Sequence, residues 1–317
     1  MKKPLEIRIT KLHGLGNDFI VATSGRSAGK GKATGLRGSG NIPGAAPLRN
    51  LARAICERHT GVGADGFLVV SPPRARGNDA RVRFFNADGS EAEMSGNGIR
   101  CVAGFLSLAR TQKRVLRIET RAGLKSIEAI WAGDGQWIFR VAMGRPILEP
   151  EKIPFRAKKA GAPVMGYPLP TKFGKFRVTV TSMGNPHCSL FLKSFDRTDW
   201  RAIGHEIENH PLFPNRTNVE FVRVISRREI EVRYWERGVG ETASSGTGSC
   251  GAAVASILNG YTGRQVRVRT MAGSLQVEWP EGSEVMLTGP AEVITHGVYC
   301  FLRRLTRGRG NRDDKFL

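Results

Sequence analysis

The chain contains no run of 18 or more apolar residues, the length a membrane-spanning helix requires, so no span is expected. Its start, MKKPLEIRIT, alternates like a strand and lacks the apolar core of a signal peptide. The five cysteines (Cys56, Cys101, Cys188, Cys250, Cys300) include no CxxC pair, which excludes a zinc cage or a disulfide framework built on one. Six histidines at unrelated spacings offer no HExxH, and no metal is expected. These absences predict a cytoplasmic protein with reduced thiols and no membrane partner.

Acidic residues are also scarce, 28 against 49 Lys and Arg, giving a net charge of +21. Clustered cations bind nucleic acid by releasing counterions from phosphates. Here the excess lies largely at the margins: residues 24 to 50 carry five basic and no acidic side chains, and the tail from Arg303 six basic and two acidic. A basic solvated surface is expected in place of a nucleic-acid partner. The segment Ser24 to Pro47, rich in Gly, Ser and Lys, reads as a mobile surface insertion with no core of its own.

What the chain does have is a copy of itself. At an offset of 150 residues, Glu91, Ser95, Gly96, Gly98 and Ala103 fall on Glu241, Ser245, Gly246, Gly248 and Ala253. Thr120, Ala122, Gly123 and Glu128 fall on Thr270, Ala272, Gly273 and Glu278. A pattern repeated at fixed offset implies a repeated structural unit. Upstream, Gly16 and Asn17 match Gly184 and Asn185 at an offset of 168, the difference being absorbed by the 24–47 insertion.

Within each half a polar-apolar strand (Arg81 to Phe85; Ile230 to Trp235) leads through a turn-rich stretch to a helix. The inward stripes are Ile99, Val102, Ala103 and Leu106 in one and Ala252, Ala253, Ser256 and Ile257 in the other. Two further helices are predicted, Leu48 to Arg58 and Asp199 to Asn209, the second capped by Asp199. Strands otherwise predominate. The expectation is an α+β fold of two pseudo-symmetric halves, each a curved, mainly antiparallel sheet wrapped around a central helix, with the active cleft between them. The divisions expected are 1–140, 141–295, and 296–317 as a last strand returning to the first half plus a basic tail.

The matched Ser-Gly-x-Gly segments, MSGNGIRC and SSGTGSCG, stand where a strand gives way to a helix. Amides left free at a helix start bind anions, and glycines let a ligand approach the backbone, so a carboxylate suits each site. Ser95 and Ser245 also have a plainer reading as N-caps. Polar residues grouped around them (Asn86, Asn97, Asn185, Asn218, Glu236, Arg237, Thr247) suit the fixing of an ammonium and a carboxylate, with Arg237 apt for bidentate contact. Cys101 and Cys250, six and five residues further along their helices, read as packing residues. Cys188, beside His187, stays open as a participant.

The stretches KLHGLGNDF, RHTGVGADG, FFNADGSEAEMSGNGIRC, SMGNPHC, NVEFV and YWERGVGETASSGTGSC resemble the diaminopimelate epimerase family in order and spacing. The resemblance implies a homodimeric isomerase, free of cofactor and metal, that interconverts LL- and meso-diaminopimelate for lysine and peptidoglycan synthesis. Family members use two opposed cysteines, one thiolate taking the α proton and the other thiol protonating the opposite face. Serine stands at both positions here, Ser95 and Ser245. By the same resemblance Asn17, Asn86, Gly96, Asn97, Asn185, Asn218, Glu236, Arg237, Gly246 and Thr247 bind substrate, while His187 and Glu236 tune the acid-base pair. A hydroxyl needs a partner base, His187 first and Glu236 second. The alternatives are an inactive amino-acid-binding paralogue and an isomerase of another amino acid.

Overall fold

The computed structural model describes residues 5–24, 42, 48–108, 113–156, 161–196 and 198–301. The basic tail and most of the 24–47 insertion lie outside these residues. Ile42, inside that insertion, is a correction to the expectation of a segment without core contacts: it is 2% exposed and packs with Leu51, Ile55 and Phe67.

The first half runs β1 (Leu5–Gly14), β2 (Asn17–Thr23), α1 (Leu48–Cys56), β3 (Gly66–Ser71), β4 (Ala80–Asn86), β5 (Glu91–Ala92), α2 (Gly96–Leu108), β6 (Val115–Thr120), β7 (Gly123–Gly133) and β8 (Gln136–Gly144). After β9 (Val164–Thr171) the same succession returns: β10 (Gly174–Ser182), β11 (Pro186–Phe191), α3 (Trp200–Glu208), β12 (Asn218–Ser226), β13 (Glu229–Glu236), β14 (Gly240–Thr242), α4 (Gly246–Leu258), β15 (Gln265–Thr270), β16 (Gly273–Glu278) and β17 (Val285–Phe301). Pairing repeats with it. The strands flanking α1 and α3 are parallel (β2 with β3, β11 with β12), and β4 with β6 and β13 with β15 are parallel around α2 and α4. The remaining pairs are antiparallel, and the two halves share one 17-stranded sheet.

β17 joins the halves. Its first part pairs with β16 and β8, and from Glu292 to Phe301 it pairs with β1, through a bulge at Lys11/Leu12 that turns the strand toward its second partner.

The predicted helices form where the spacing placed them. α1 buries Leu51, Ala52, Ile55 and Cys56, and α3 is capped by Asp199, which accepts from the Ala202 amide at 3.1 Å. α4 differs from the predicted single stripe, because it is buried on all sides from Gly248 to Ser256 while Ile257 is partly exposed. Its sequence GTGSCGAAVASIL explains the fit: small side chains let surrounding strands close on it. Its buried serines satisfy themselves locally, Ser249 Oγ donating to Ser245 O at 2.6 Å and Ser256 Oγ to Ala252 O at 2.7 Å. α2 and α4 are thus the central rods of their halves, and Leu106, Val102, Cys250 and Ala253 belong to one apolar core that spans both.

Candidate active site

The N-termini of α2 and α4 meet. A Cβ placed on Gly96 would lie 3.0 Å from Gly246 Cα, and one on Gly246 would lie 2.8 Å from Gly96 Cα. The first glycine of each Ser-Gly-x-Gly therefore permits backbone-to-backbone contact between halves. The second serves packing beneath it: a Cβ on Gly98 would meet the Phe84 ring at 3.1 Å, and one on Gly248 the Tyr234 ring at 2.9 Å. Phe84 and Tyr234 are themselves related by the 150-residue offset.

Each serine caps its helix. Ser95 Oγ accepts from the Gly98 amide at 3.1 Å and Ser245 Oγ from the Gly248 amide at 3.2 Å. The plainer reading is thus physically real, and it leaves the amides of Gly96, Asn97, Gly246 and Thr247 without an acceptor among the described residues. Two helix N-termini each carry about half a positive charge, and setting them in contact is repulsive until an anion lies between them.

One asparagine from each half, Asn17 and Asn185, bonds a side chain in the first turn of a helix. Gly16 and Gly184 occupy left-handed backbone (φ 77° and 99°), making the turns that deliver Asn17 and Asn185. Asn97 Nδ2 donates to Asn17 Oδ1 at 3.3 Å, and Asn185 Nδ2 to Thr247 Oγ1 at 3.5 Å. Asn218 holds the main chain of Arg237, whose amide donates to Asn218 Oδ1 at 3.0 Å. The Arg237 side chain is exposed, donating to Asn215 O at 3.1 Å. Asn86 is exposed, and its amide donates to Ser90 Oγ at 2.9 Å, within its own turn.

The pseudo-symmetry breaks where the chemistry would start. Ser245 Oγ donates to Glu236 Oε2 at 3.0 Å, while Thr242 Oγ1 donates to Glu236 Oε1 at 2.7 Å. In the first half Asn86 takes the place of Glu236, and Ser95 has no carboxylate or imidazole bonded to it among the described residues. His187, the first candidate base, bonds neither serine. It is fully buried, with Nδ1 2.6 Å from Glu220 Oε1 and Nε2 3.0 Å from Asn185 Oδ1, and it packs against Gly251 of α4. Its side chain bonds the group of predicted residues through Asn185, and its backbone lies beside Asn218 in the β11–β12 pair. Cys188 points away into the core of the second half, and burial pushes its thiol well above the ordinary value. Cys101 and Cys250 are fully buried, with thiols pushed up to about 12 by burial, consistent with packing.

Burial raises the carboxyl of Glu236 above the usual carboxylate range, against the opposing hydrogen bonds from Thr242 and Ser245. A carboxyl raised in the folded state favours that state when protonated, so its contribution is lost as pH rises from about 4.5 through the raised value. Glu236→Gln removes that dependence. Its melting temperature relative to the parent is therefore expected to climb as pH goes from 4 to 8 in a calorimetric series; a constant difference would contradict the shift.

Sequence reading missed Arg100, Asp65 and Thr242, which hold the side chains of Asn97, Asn17 and Glu236, and Glu220, which holds His187. Arg100 and Glu220 have no counterpart in the repeat, so self-comparison could not find them. Two open surface cavities, about 810 Å³ beside Arg228 and Arg267 and about 560 Å³ beside His205 and His210, contain none of the predicted residues.

Comparison with known proteins agrees with the duplicated architecture. The sequence pattern described as diaminopimelate epimerase matches residues 9–149 and 179–294. Proteins named diaminopimelate epimerase from Pelotomaculum thermopropionicum and Desulforudis audaxviator are 44% and 46% identical over 296 residues. These alignments cover 93% and 92% of this chain and 99% and 98% of theirs. Among solved structures, a hydroxyproline epimerase from Agrobacterium vitis with bound trans-4-hydroxy-L-proline superposes with a TM-score of 0.68 at 16% identity, covering 95% of this chain and 94% of that one. A phenazine biosynthesis protein of the PhzF family from Bacillus anthracis gives 0.62 at 14%, covering 94% and 99%. The distant structures share the two-halved fold, and the close sequence relatives, matched along nearly their whole length, place this chain in the diaminopimelate epimerase family.

Proposed function

We propose that the chain acts on diaminopimelate, binding it at the α2–α4 junction and interconverting the LL and meso isomers by proton transfer at the α carbon, without cofactor or metal. The observation that carries this reading is the contact of two matched helix N-termini, each opened by a capping side chain at the family's proton-transfer position. The free amides of Gly96, Asn97, Gly246 and Thr247 suit the substrate's carboxylate, and Asn17, Asn86, Asn185, Asn218, Glu236 and Arg237 complete the binding set. Glu236 is the partner base of Ser245, and His187 acts by orienting Asn185. We assign these roles within halves 1–140 and 141–295, with 296–317 returning to the first. The product would feed lysine and peptidoglycan precursor synthesis in the cytoplasm.

The test is deuterium incorporation at the α carbon of LL-diaminopimelate in deuterated water, followed by NMR, alongside calorimetric binding. Binding with exchange supports an epimerase; absence of both removes the reading. Binding without exchange is the second reading, an amino-acid-binding relative without turnover, which the missing base at Ser95 favours.

We also propose a homodimer. Ile130, Trp131, Ile138, Ile294 and Val298 are exposed on the neighbouring strands β7, β8 and β17, an apolar surface that a second copy would cover. Trp131 and Ile138 sit directly opposite each other. Light scattering should give twice the 34.7 kDa chain mass, reverting to one chain mass in Trp131→Glu. A monomeric parent would sink the dimer.

A further inference from the structure

Arg100 lies one turn into α2 and is fully buried, yet among the described residues it has no carboxylate partner. Its donors go to neutral oxygens: Nε to Pro290 O at 3.0 Å, Nη1 to Gly96 O at 2.9 Å, and Nη2 to Asn97 Oδ1 at 2.7 Å. Room is left for it by two glycines, since a Cβ on Gly14 would come within 2.9 Å of Nη2 and one on Gly289 within 3.2 Å of Cζ. Burial brings its pKa down to about 10, so it remains a cation at neutral pH.

Such a group works against stability twice. An unpaired buried charge is costly, and a cation near a helix N-terminus opposes the macrodipole. Its hydrogen bonds show what it holds. Arg100 donates to the Asn97 carbonyl oxygen, Asn97 Nδ2 to Asn17 Oδ1, and Asn17 Nδ2 to Asp65 Oδ2 at 2.8 Å, with Arg58 closing on Asp65 Oδ1 at 2.8 Å. A donor-only group stands at one end and an acceptor-only group at the other. Flipping either amide would set donor against donor, so each has one permitted orientation. Both amide oxygens accept within the relay, and Asn97 Nδ2 also donates to Ser244 O at 3.5 Å, so Asn17, with one N–H engaged by Asp65, is the amide left to meet an anionic ligand.

We infer that Arg100 is a positioning residue: its guanidinium locks Asn97, and through it Asn17, so that the remaining N–H of Asn17 is presented to the substrate carboxylate held between α2 and α4. The inference rests on the reading of that junction as the amino-acid site, and its test separates the two. In the chain as it stands, the side-chain amide protons of Asn97 and Asn17 should exchange slowly with solvent. Arg100→Met should speed both, and should weaken meso-diaminopimelate binding by about 10- to 100-fold in calorimetry, the loss of a charge-assisted bond. Arg100→Lys, which keeps the charge and one donor, should restore most of the affinity. A purely structural role would not predict coupled changes at Asn17.

If Arg100→Met does not fold, Asp65→Asn at the other end of the relay decides, with faster exchange at Asn17 and weaker binding expected. Unchanged amide exchange and unchanged affinity in a folded variant overturn the inference. If the parent itself does not bind meso-diaminopimelate, the functional reading fails, and amide exchange alone still judges the role of Arg100.

Discussion

Replacing Ser95 and Ser245 together by cysteine is expected to raise α-hydrogen exchange of diaminopimelate by about 10³-fold or more over the serine form, since a well-placed acid or base contributes about 10²–10⁴. The size follows from acidity. A thiol with a pKa of about 8.5 is brought into the working range at a helix N-terminus, so one thiolate and one thiol coexist near neutral pH. The helix field, about 0.3–1 kcal/mol, moves a pKa by less than about one unit and leaves a hydroxyl a very weak acid. Ser245 has Glu236 at 3.0 Å to take its proton, whereas Ser95 has the Gly98 amide and no base among the described residues. With one face equipped and the other not, inversion in the serine form is expected to be slow. NMR in deuterated water on parent and double variant measures the ratio; equal rates would remove these positions from the proton-transfer role.

Gly246→Ala should have a large effect in the opposite direction, for a mechanical reason. The new methyl would lie 2.8 Å from Gly96 Cα, 3.2 Å from its carbonyl carbon and 3.3 Å from the Asn97 nitrogen, all backbone atoms that have no rotamer to escape into. The two helix ends must part by several tenths of an ångström. Overpacking of this kind costs about 1–3 kcal/mol of stability. It also spreads the four free amides, so affinity for diaminopimelate should fall by about 100-fold or more, since preorganised donors lose most when displaced. Gly297→Ala is the control, because its added methyl meets nothing within 4 Å and should change stability by less than about 0.5 kcal/mol. Chemical denaturation and calorimetry on both variants check the contrast; normal binding by Gly246→Ala would show that the helix contact is incidental.

The duplication was legible because it is written in small residues with steric work to do. Glycine at 96 and 246 is demanded by one contact seen from both sides, and glycine at 98 and 248 by an aromatic ring beneath each helix, so the repeat in sequence is a repeat in packing. The helix positions followed from apolar spacing and from Asp199, whose capping bond is local. What sequence could not give was the pairing of partners across long separations. Glu236 reaching Ser245 depends on β13 and β14 folding back to the start of α4. His187 turning to Glu220 depends on the parallel register of β11 and β12. Arg100 was invisible because its role is set by Gly14 and Pro290, brought beside it by the central sheet. Ile42 was missed because the composition of its segment concealed one apolar side chain that packs.

Diaminopimelate titrated into the nitrogen-15-labelled chain, with backbone amide shifts followed residue by residue, tests the binding geometry most directly. Saturable shifts centred on Gly96, Asn97, Gly246 and Thr247 are predicted, moving together with a single affinity because one carboxylate bridges both helix ends. Shifts confined to one half, or centred on the cavities beside Arg228 or His205, would contradict a shared site.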